Sequence, residues 1–309
     1  MVEALVVIGG STASGKSALA LALAQASGGV VVNADSQQLF ADLPILTAQP
    51  AAADRARAPH RLYGLLAADE QPSVGRWLVL VEAELAAARR EGRSAVVAGG
   101  TGLYLHALLH GMPDMPSIPA ELRASLRAWA SAAPAEELHA RLRRHDPAMA
   151  ERLRPGDRQR ALRALEVVLA TGRSLRDWQA APRRRAALPA ATVAVALVPP
   201  AAVVNPRIDA RLEAMLAAGA ADEARGLLRR RPDALRLPIA KVHGLRELAA
   251  VSEGRLGLAD ARAAVAAQIR RYAKRQRTWF RYQLPELVPV EEAGASEAAL
   301  AIVDEALRR

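Results

Sequence analysis

Residues Gly10 to Ser17 read GSTASGKS and fit the pattern G-x-x-x-x-G-K-[ST], directly behind the apolar run Ala4 to Ile8. This is the pattern of a phosphate cradle. Backbone N–H groups turn inward round an anion, and the helix that follows aims its positive end at it. Lys16 adds a compact charge, and the Ser17 hydroxyl can hold Mg²⁺. Lysine occurs only at positions 16, 241 and 274 of an arginine-rich chain, and one of these stands where a point charge must fit inside a narrow loop. The pattern leaves three fates for the phosphates: hydrolysis, transfer to an acceptor, or departure as a leaving group.

Four further segments carry groups that could act on such a ligand. Asp35, in NADSQQLF, follows an apolar run and reads in three ways: a metal-associated carboxylate, a general base for a nucleophile bound beside the phosphates, or the cap of a turn with Ser36. In AGGTGLY, Thr101 and the glycine backbone could face a ligand or merely cap a strand-to-helix turn. RPGDRQRALRALEV sets Arg160 and Arg163 three apart on one helical face, with Arg158 as a third cation and Leu162, Leu165 and Val168 for packing. Paired guanidiniums suit phosphate contacts, and a solvated charged face is the competing reading. Arg270 to Gln283 mixes six basic residues with Tyr272, Trp279, Phe280 and Tyr282. That suits either a surface that neutralises phosphates and stacks bases, or an amphipathic helix with its rings turned inward.

The elements that must position these groups alternate. Apolar runs at Ala4 to Ile8, Gly29 to Asp35 and Ser94 to Ala98 read as strands. The segments after GKS, at Val74 to Gly92 and after GGTG read as helices. Such alternation predicts a parallel sheet with helices on both faces, whose ligands gather at the carboxyl ends of the strands. The cradle, Asp35 and Gly99 to Thr101 all fall at such ends. The pattern changes near HGMPDMPSIP, and Ala120 to about Gln179 is helical and rich in arginine without a convincing strand. A strand pattern then returns at Ala191 to Val198, ahead of a helix round PRIDARLEAMLAAG. The fold class expected is therefore α/β: a P-loop NTPase-like core, nucleotide-binding in type, with an inserted all-helical domain. The boundaries are 1–111, 112–188 and 189–309.

Composition bounds the rest. A 51% hydrophobic chain of 309 residues can bury a sizeable core, and the absence of cysteine excludes disulfides, thiolate metal sites and cysteine nucleophiles. No basic leader precedes the first apolar run and no stretch reaches membrane-span length, so a cytoplasmic protein without membrane association is expected. A net charge of +10 points to an anionic partner such as nucleic acid, while arginine enrichment of the whole chain offers a blander source for it.

Taken in order, GSTASGKS, NADSQQLF with LTAQP, APHRL, AGGTGLY, GDRQRALRALEV with TGRSL, NPRIDARLEAMLAAG, HGLREL and AKRQRTWFR resemble the tRNA dimethylallyltransferases, also called tRNA isopentenyltransferases, over nearly the whole chain. The resemblance implies transfer of a dimethylallyl group from dimethylallyl diphosphate to the exocyclic amine of the adenosine 3′ of a tRNA anticodon, by a monomer. It implies that the cradle (Gly10, Ser11, Thr12, Ala13, Ser14, Gly15, Lys16 and Ser17) holds the diphosphate with Mg²⁺, Ser17 being the metal ligand. It also implies that Asp35 accepts the amine proton and that Thr101 lies beside the substrate. The anticodon stem-loop would be contacted by Asp35, Ser36, Gln37, Gln38, Thr101, Arg123, Gln159, Arg160, Ala161, Leu162 and Arg163. The chain departs from the family pattern at Ser11, Ser17, Gln49, Gly156 and Leu245 with Arg246.

Overall fold

In the computed structural model, which describes residues 4–184, 186–290 and 300, the apolar runs become strands buried on both faces. The chain begins with β1 (Leu5–Gly10), α1 (Lys16–Ser27), β2 (Val30–Asn33), α2 (Ala52–Arg57), β3 (His60–Arg61), α3 (Val74–Arg90), β4 (Ala95–Gly99) and α4 (Gly102–His110). It continues through β5 (Met112–Pro113), α5 (Ala120–Ala132), α6 (Ala135–His145), α7 (Pro147–Arg152), α8 (Arg158–Thr171), α9 (Leu175–Ala180) and β6 (Arg183–Arg184). It then returns through β7 (Thr192–Leu197), α10 (Ala201–Ala217), α11 (Ala220–Arg230), α12 (Leu245–Ser252), α13 (Leu258–Gln283) and β8 (Val288–Val290).

Two compact units result, Met1–Leu109 with Ala186–Arg309, and His110–Arg185. In the first, six strands form a parallel sheet in the order β3-β2-β4-β1-β7-β8. Leu19, Leu21 and Leu23 of α1 pack with Ile8, Val31, Val96 and Leu197 to form one apolar cluster of this unit. Elsewhere Trp77 of α3 stacks on Tyr104 of α4 at 4.6 Å and donates its indole N–H to the Asn33 carbonyl at 2.8 Å. Residues 291–299 and 301–309, which the sequence reading assigned to the second core segment, lie outside the described residues.

The second unit packs α5, α6 and α8 round Leu126, Leu138, Leu142, Ala161 and Leu165. Asp146 caps α7 through the Met149 N–H at 3.0 Å and accepts the Ser174 hydroxyl at 2.8 Å, which ties the start of α9 to it. An all-helical insertion needs one amendment. Met112–Pro113 pairs antiparallel with Arg183–Arg184 where the chain enters and leaves the unit. Two-residue strands have no period to read, and a proline is tolerated in so short an edge pair.

Candidate active site

The cradle closes the carboxyl end of β1. Gly10 has φ +145°, and a Cβ there would collide with the Leu197 carbonyl of β7, so only glycine fits. Ala13 turns the loop through φ +58°, and Gly15 leads into the first turn of α1. The Lys16 ammonium lies inside the loop, donating to the Ser11 carbonyl at 2.6 Å. Burial pulls its pKa down to about 8; the charge of Asp35 opposes the drop and that of Arg211 adds to it. The hydroxyls of Ser11 and Ser14 are buried with no partner among the described residues. Ser17 stands exposed at the lip.

Asp35 is aimed by its neighbours. The buried Asn33 side chain accepts the Asp35 N–H at 2.8 Å and donates to the Asp35 and Leu62 carbonyls, both at 3.0 Å. One carboxylate oxygen of Asp35 accepts the Gln37 N–H at 3.0 Å, so the turn-capping reading holds for that oxygen. The other oxygen faces Gly100. The Thr101 hydroxyl accepts the Ser36 N–H at 2.9 Å and donates to the Ser36 hydroxyl at 3.2 Å, joining the β4 turn to the β2 turn.

Between these ends lies a cavity of about 400 Å³. Thr12, Lys16 and Ser17 line it with Asp35, Gln37 and Gln38, and Leu21, Leu46, Leu212, Met215, Val265 and Ile269 supply apolar wall. The loop bearing Leu46 is pinned from two sides. Gln38 donates to the Thr47 and Ala48 carbonyls at 3.1 and 2.8 Å, and Glu223 of α11 accepts the Ile45 and Leu46 N–H groups at 2.8 Å. Gln49 donates to the Phe40 carbonyl at 2.8 Å, a structural use for this departure from the family pattern, and Leu245 is fully buried.

Three residues at or beside the cavity, Arg211, Gln276 and His243, escaped the sequence reading, and a fourth, Tyr272, was read only as a ring of the basic helix. Arg211 of α10 lines the wall beside the cradle. Gln276 of α13 accepts the Thr12 N–H and donates to the Gly100 carbonyl, each at 2.8 Å, thereby linking the cradle to the β4 turn. Tyr272, one turn earlier on α13, lines the cavity and hydrogen-bonds to Thr101 and Gln276; burial holds its phenol protonated. His243 lies against the Tyr272 ring at 4.9 Å. The only advance signal was that NPRIDARLEAMLAAG, HGLREL and AKRQRTWFR carry Arg211, His243 and Gln276, while Tyr272 was one of the four rings read in Arg270 to Gln283.

The basic, aromatic helix resolves mostly towards the interior. Phe280 is buried against Gly9, and Trp279 fills the space a side chain at Gly102 would need. With Tyr272 in the cavity, only Tyr282, 69% exposed, remains as a ring for stacking from outside. Arg270 pairs with Asp209 at 2.5 Å.

In the second unit, Gln159 and Arg160 are exposed at the start of α8, and Arg160 lies 3.5 Å from Asp157. Arg163 pairs with the buried Glu166 at 3.4 Å. The Nε of Arg123 is buried with no partner among the described residues. Two assignments need correction. The Ala161 side chain is fully buried in the unit's core, because α8 turns this face inward, and presents no contact surface; Leu162 is half-buried and packs against that core. Arg158 donates to the Ala130 carbonyl instead of forming a third surface cation.

A family model described as IPP transferase matches residues 38–283. The chain belongs to the IPP transferase family. It is 50% identical over 303 residues to a tRNA dimethylallyltransferase of Rhodospirillum rubrum, covering 97% of this chain and 93% of the relative. It is 49% identical to one of Nitrobacter hamburgensis, covering 91% and 88%. Among solved structures, a eukaryotic dimethylallyltransferase captured acting on tRNA aligns at 26% identity with a TM-score of 0.81, over 98% of this chain and 79% of the other. A tRNA isopentenylpyrophosphate transferase of Bacillus halodurans aligns at 28% identity with a TM-score of 0.68, over 99% and 97%. Like these, the IPP transferase chain has an α/β core with a parallel sheet flanked by helices. Among its described residues no helix is long and apolar enough to cross a membrane.

Proposed function

We propose that this chain transfers the dimethylallyl group of dimethylallyl diphosphate to the exocyclic N6 amine of the adenosine immediately 3′ of a tRNA anticodon, releasing diphosphate and leaving N6-dimethylallyladenosine. The observation that carries the reading is an apolar-walled cavity in which Lys16 and Asp35 share one space. The names of the relatives support it.

On this reading the backbone of Gly10 to Ser17, the Ser11 and Ser14 hydroxyls and Lys16 hold the diphosphate, with Arg211 beside them. As the allylic C–O bond breaks, negative charge grows on the diphosphate, where fixed N–H groups and Lys16 stabilise it more than in the ground state. The N6 lone pair forms the new N–C bond, and Asp35 takes the proton the nitrogen then sheds. Apolar walls keep water from the allylic centre.

Mg²⁺ fits this cradle: Ser17 offers one exposed hydroxyl, and an ion that draws its other ligands from phosphate and water needs no protein cage. No cluster of three His, Cys, Asp or Glu among the described residues competes for it. When bound, the ion neutralises charge on the diphosphate oxygens.

A stacked adenine cannot reach such a cavity, so the base must be turned out of the anticodon loop at a cost of about a few kcal/mol. The insertion, residues 112–188, is assigned to that arm through Arg123, Gln159, Arg160 and Arg163, with Asp35 to Gln38 and Thr101 at the flipped base. The unused donor on Arg123 and the exposure of Arg160 support this. The cytoplasm is the compartment implied, and a monomer is the working form on this reading.

Incubation with dimethylallyl diphosphate, Mg²⁺ and an anticodon stem-loop carrying adenosine at the target position should give N6-dimethylallyladenosine on nucleoside analysis. Folded protein with competent RNA and no such product would reject the reading.

A further inference from the structure

His243 sits on the turn between Lys241 and α12 and lines the cavity. Its place is set from three sides. The backbone N–H donates to the Gln37 side chain at 3.3 Å, the ring lies against Tyr272, and the Gln268 side chain of α13 hydrogen-bonds the imidazole. Gln268 in turn donates its amide N–H to Glu247. A carboxylate only accepts, so Glu247 orients the Gln268 amide with its oxygen towards the ring. That oxygen selects the tautomer with the proton on Nδ1. Nε2 is left with a free lone pair, and it is buried with no partner among the described residues. Burial first, then Arg275, push the ring's pKa below its ordinary value, with Asp35 and Glu247 opposing; the imidazole is therefore held neutral and keeps that lone pair.

A buried acceptor without a donor is costly, and a ligand that brings one is favoured. In an adenine base the only N–H donors are the two on the exocyclic amine. Asp35 can take one, which leaves the other in want of an acceptor at the same end of the cavity. Gln37 joins the two groups there, since its backbone N–H binds Asp35 and its side chain binds the His243 backbone. We propose that His243 Nε2 accepts the second N–H of the acceptor adenine's amine, and so selects a purine bearing an amine over one without it. The inference rests on adenine being the acceptor. It makes His243 a specificity-determining residue, with Gln268 and Glu247 positioning it through the tautomer.

The test is a cycle of four affinities. Anticodon stem-loops with adenosine or with purine riboside, which has hydrogen in place of the amine, are titrated against wild-type and His243→Leu protein by fluorescence anisotropy. Wild type should prefer adenosine by about fivefold to tenfold, the worth of one or two neutral hydrogen bonds. In His243→Leu the preference should fall at least threefold, and His243→Gln, which keeps an acceptor, should restore most of it. A wild-type preference that survives unchanged in a normally folded His243→Leu overturns the proposal. Should that variant not fold, the ¹⁵N resonance of His243 Nε2 in the unmutated protein decides. It should move on binding the adenosine RNA and stay on binding the purine RNA, and equal response to both overturns the proposal. Failure of the wild type to prenylate adenosine RNA would instead reject the acceptor assignment itself.

Discussion

At the diphosphate end of the cavity one continuous stretch, Gly10 to Ser17, supplies the cradle from its own backbone, two serine hydroxyls and one lysine. At the acceptor end Asp35, His243 and the α13 pair Tyr272 and Gln276 come from three separate segments, and the bond between Thr12 and Gln276 spans 264 positions of chain. An anion of fixed shape can be gripped by a local backbone conformation, because the N–H groups are present whatever the side chains are. A flat base must be met by side chains on several sides, so its site draws on the whole fold. The first kind of site survives most substitutions outside its loop, while the second can be dismantled from many places.

The sharpest way to separate the two ends is to remove one charged group from each. Asp35→Ala should lower kcat by about 10²- to 10⁴-fold, the usual worth of a placed general base, with diphosphate affinity left within about twofold. Normal single-turnover rates in that variant would remove Asp35 from the chemistry. Lys16→Ala should cost about 10²- to 10³-fold in kcat/KM for dimethylallyl diphosphate, as loss of one preorganised electrostatic contact does. RNA affinity measured by anisotropy should be unchanged.

Gln276 tests whether the ends are independent. Gln276→Leu leaves the Thr12 N–H and the Gly100 carbonyl without partners, at about 1 to 3 kcal/mol each before relaxation. KM should rise for both substrates and the melting temperature should fall. A rise confined to one substrate would show that the link does not couple them. A milder probe is pH. Lys16 must be protonated to hold the diphosphate, and its pKa near 8 places the loss of charge just above neutrality. Thus kcat/KM for the donor should fall as pH rises through about 8, by up to about tenfold per unit, and Lys16→Ala should abolish that limb. The smallest effect is expected in the insertion. Arg160→Ala should weaken stem-loop binding evenly across sequences and lower the salt slope by about one; an unchanged slope would assign Arg160 to its contact with Asp157.

The same contrast decides what could be read from the chain in advance. Alternating apolar runs and glycine turns sufficed for the α/β core, and strand ends sufficed to bring the cradle, Asp35 and Thr101 together, because local patterns encode both. The compact second unit runs from 110 to 185, against 112–188 from the change in texture near Pro113. The β5–β6 pair was too short to carry a period. The start of α10 at Ala201 was missed because Pro206, which reads as a first-turn residue, lies inside the helix. Which way α13 turns its rings was left open by the sequence, since six basic residues among four rings serve either face; contacts with Gly9 and Gly102, far away in the chain, decide it. Likewise Ala161 sits in a stretch read as RNA-contacting, and only the packing of α8 on α5 and α6 shows that it faces inward.

The seating of Trp279 and Phe280 against Gly102 and Gly9 has a consequence for the order of synthesis. The anion cradle leaves the ribosome well before the helix that walls the pocket and carries Gln276. A nascent or prematurely stopped chain can therefore own a phosphate loop yet have nothing to shelter a reactive allylic donor, and competence arrives only when that late helix docks.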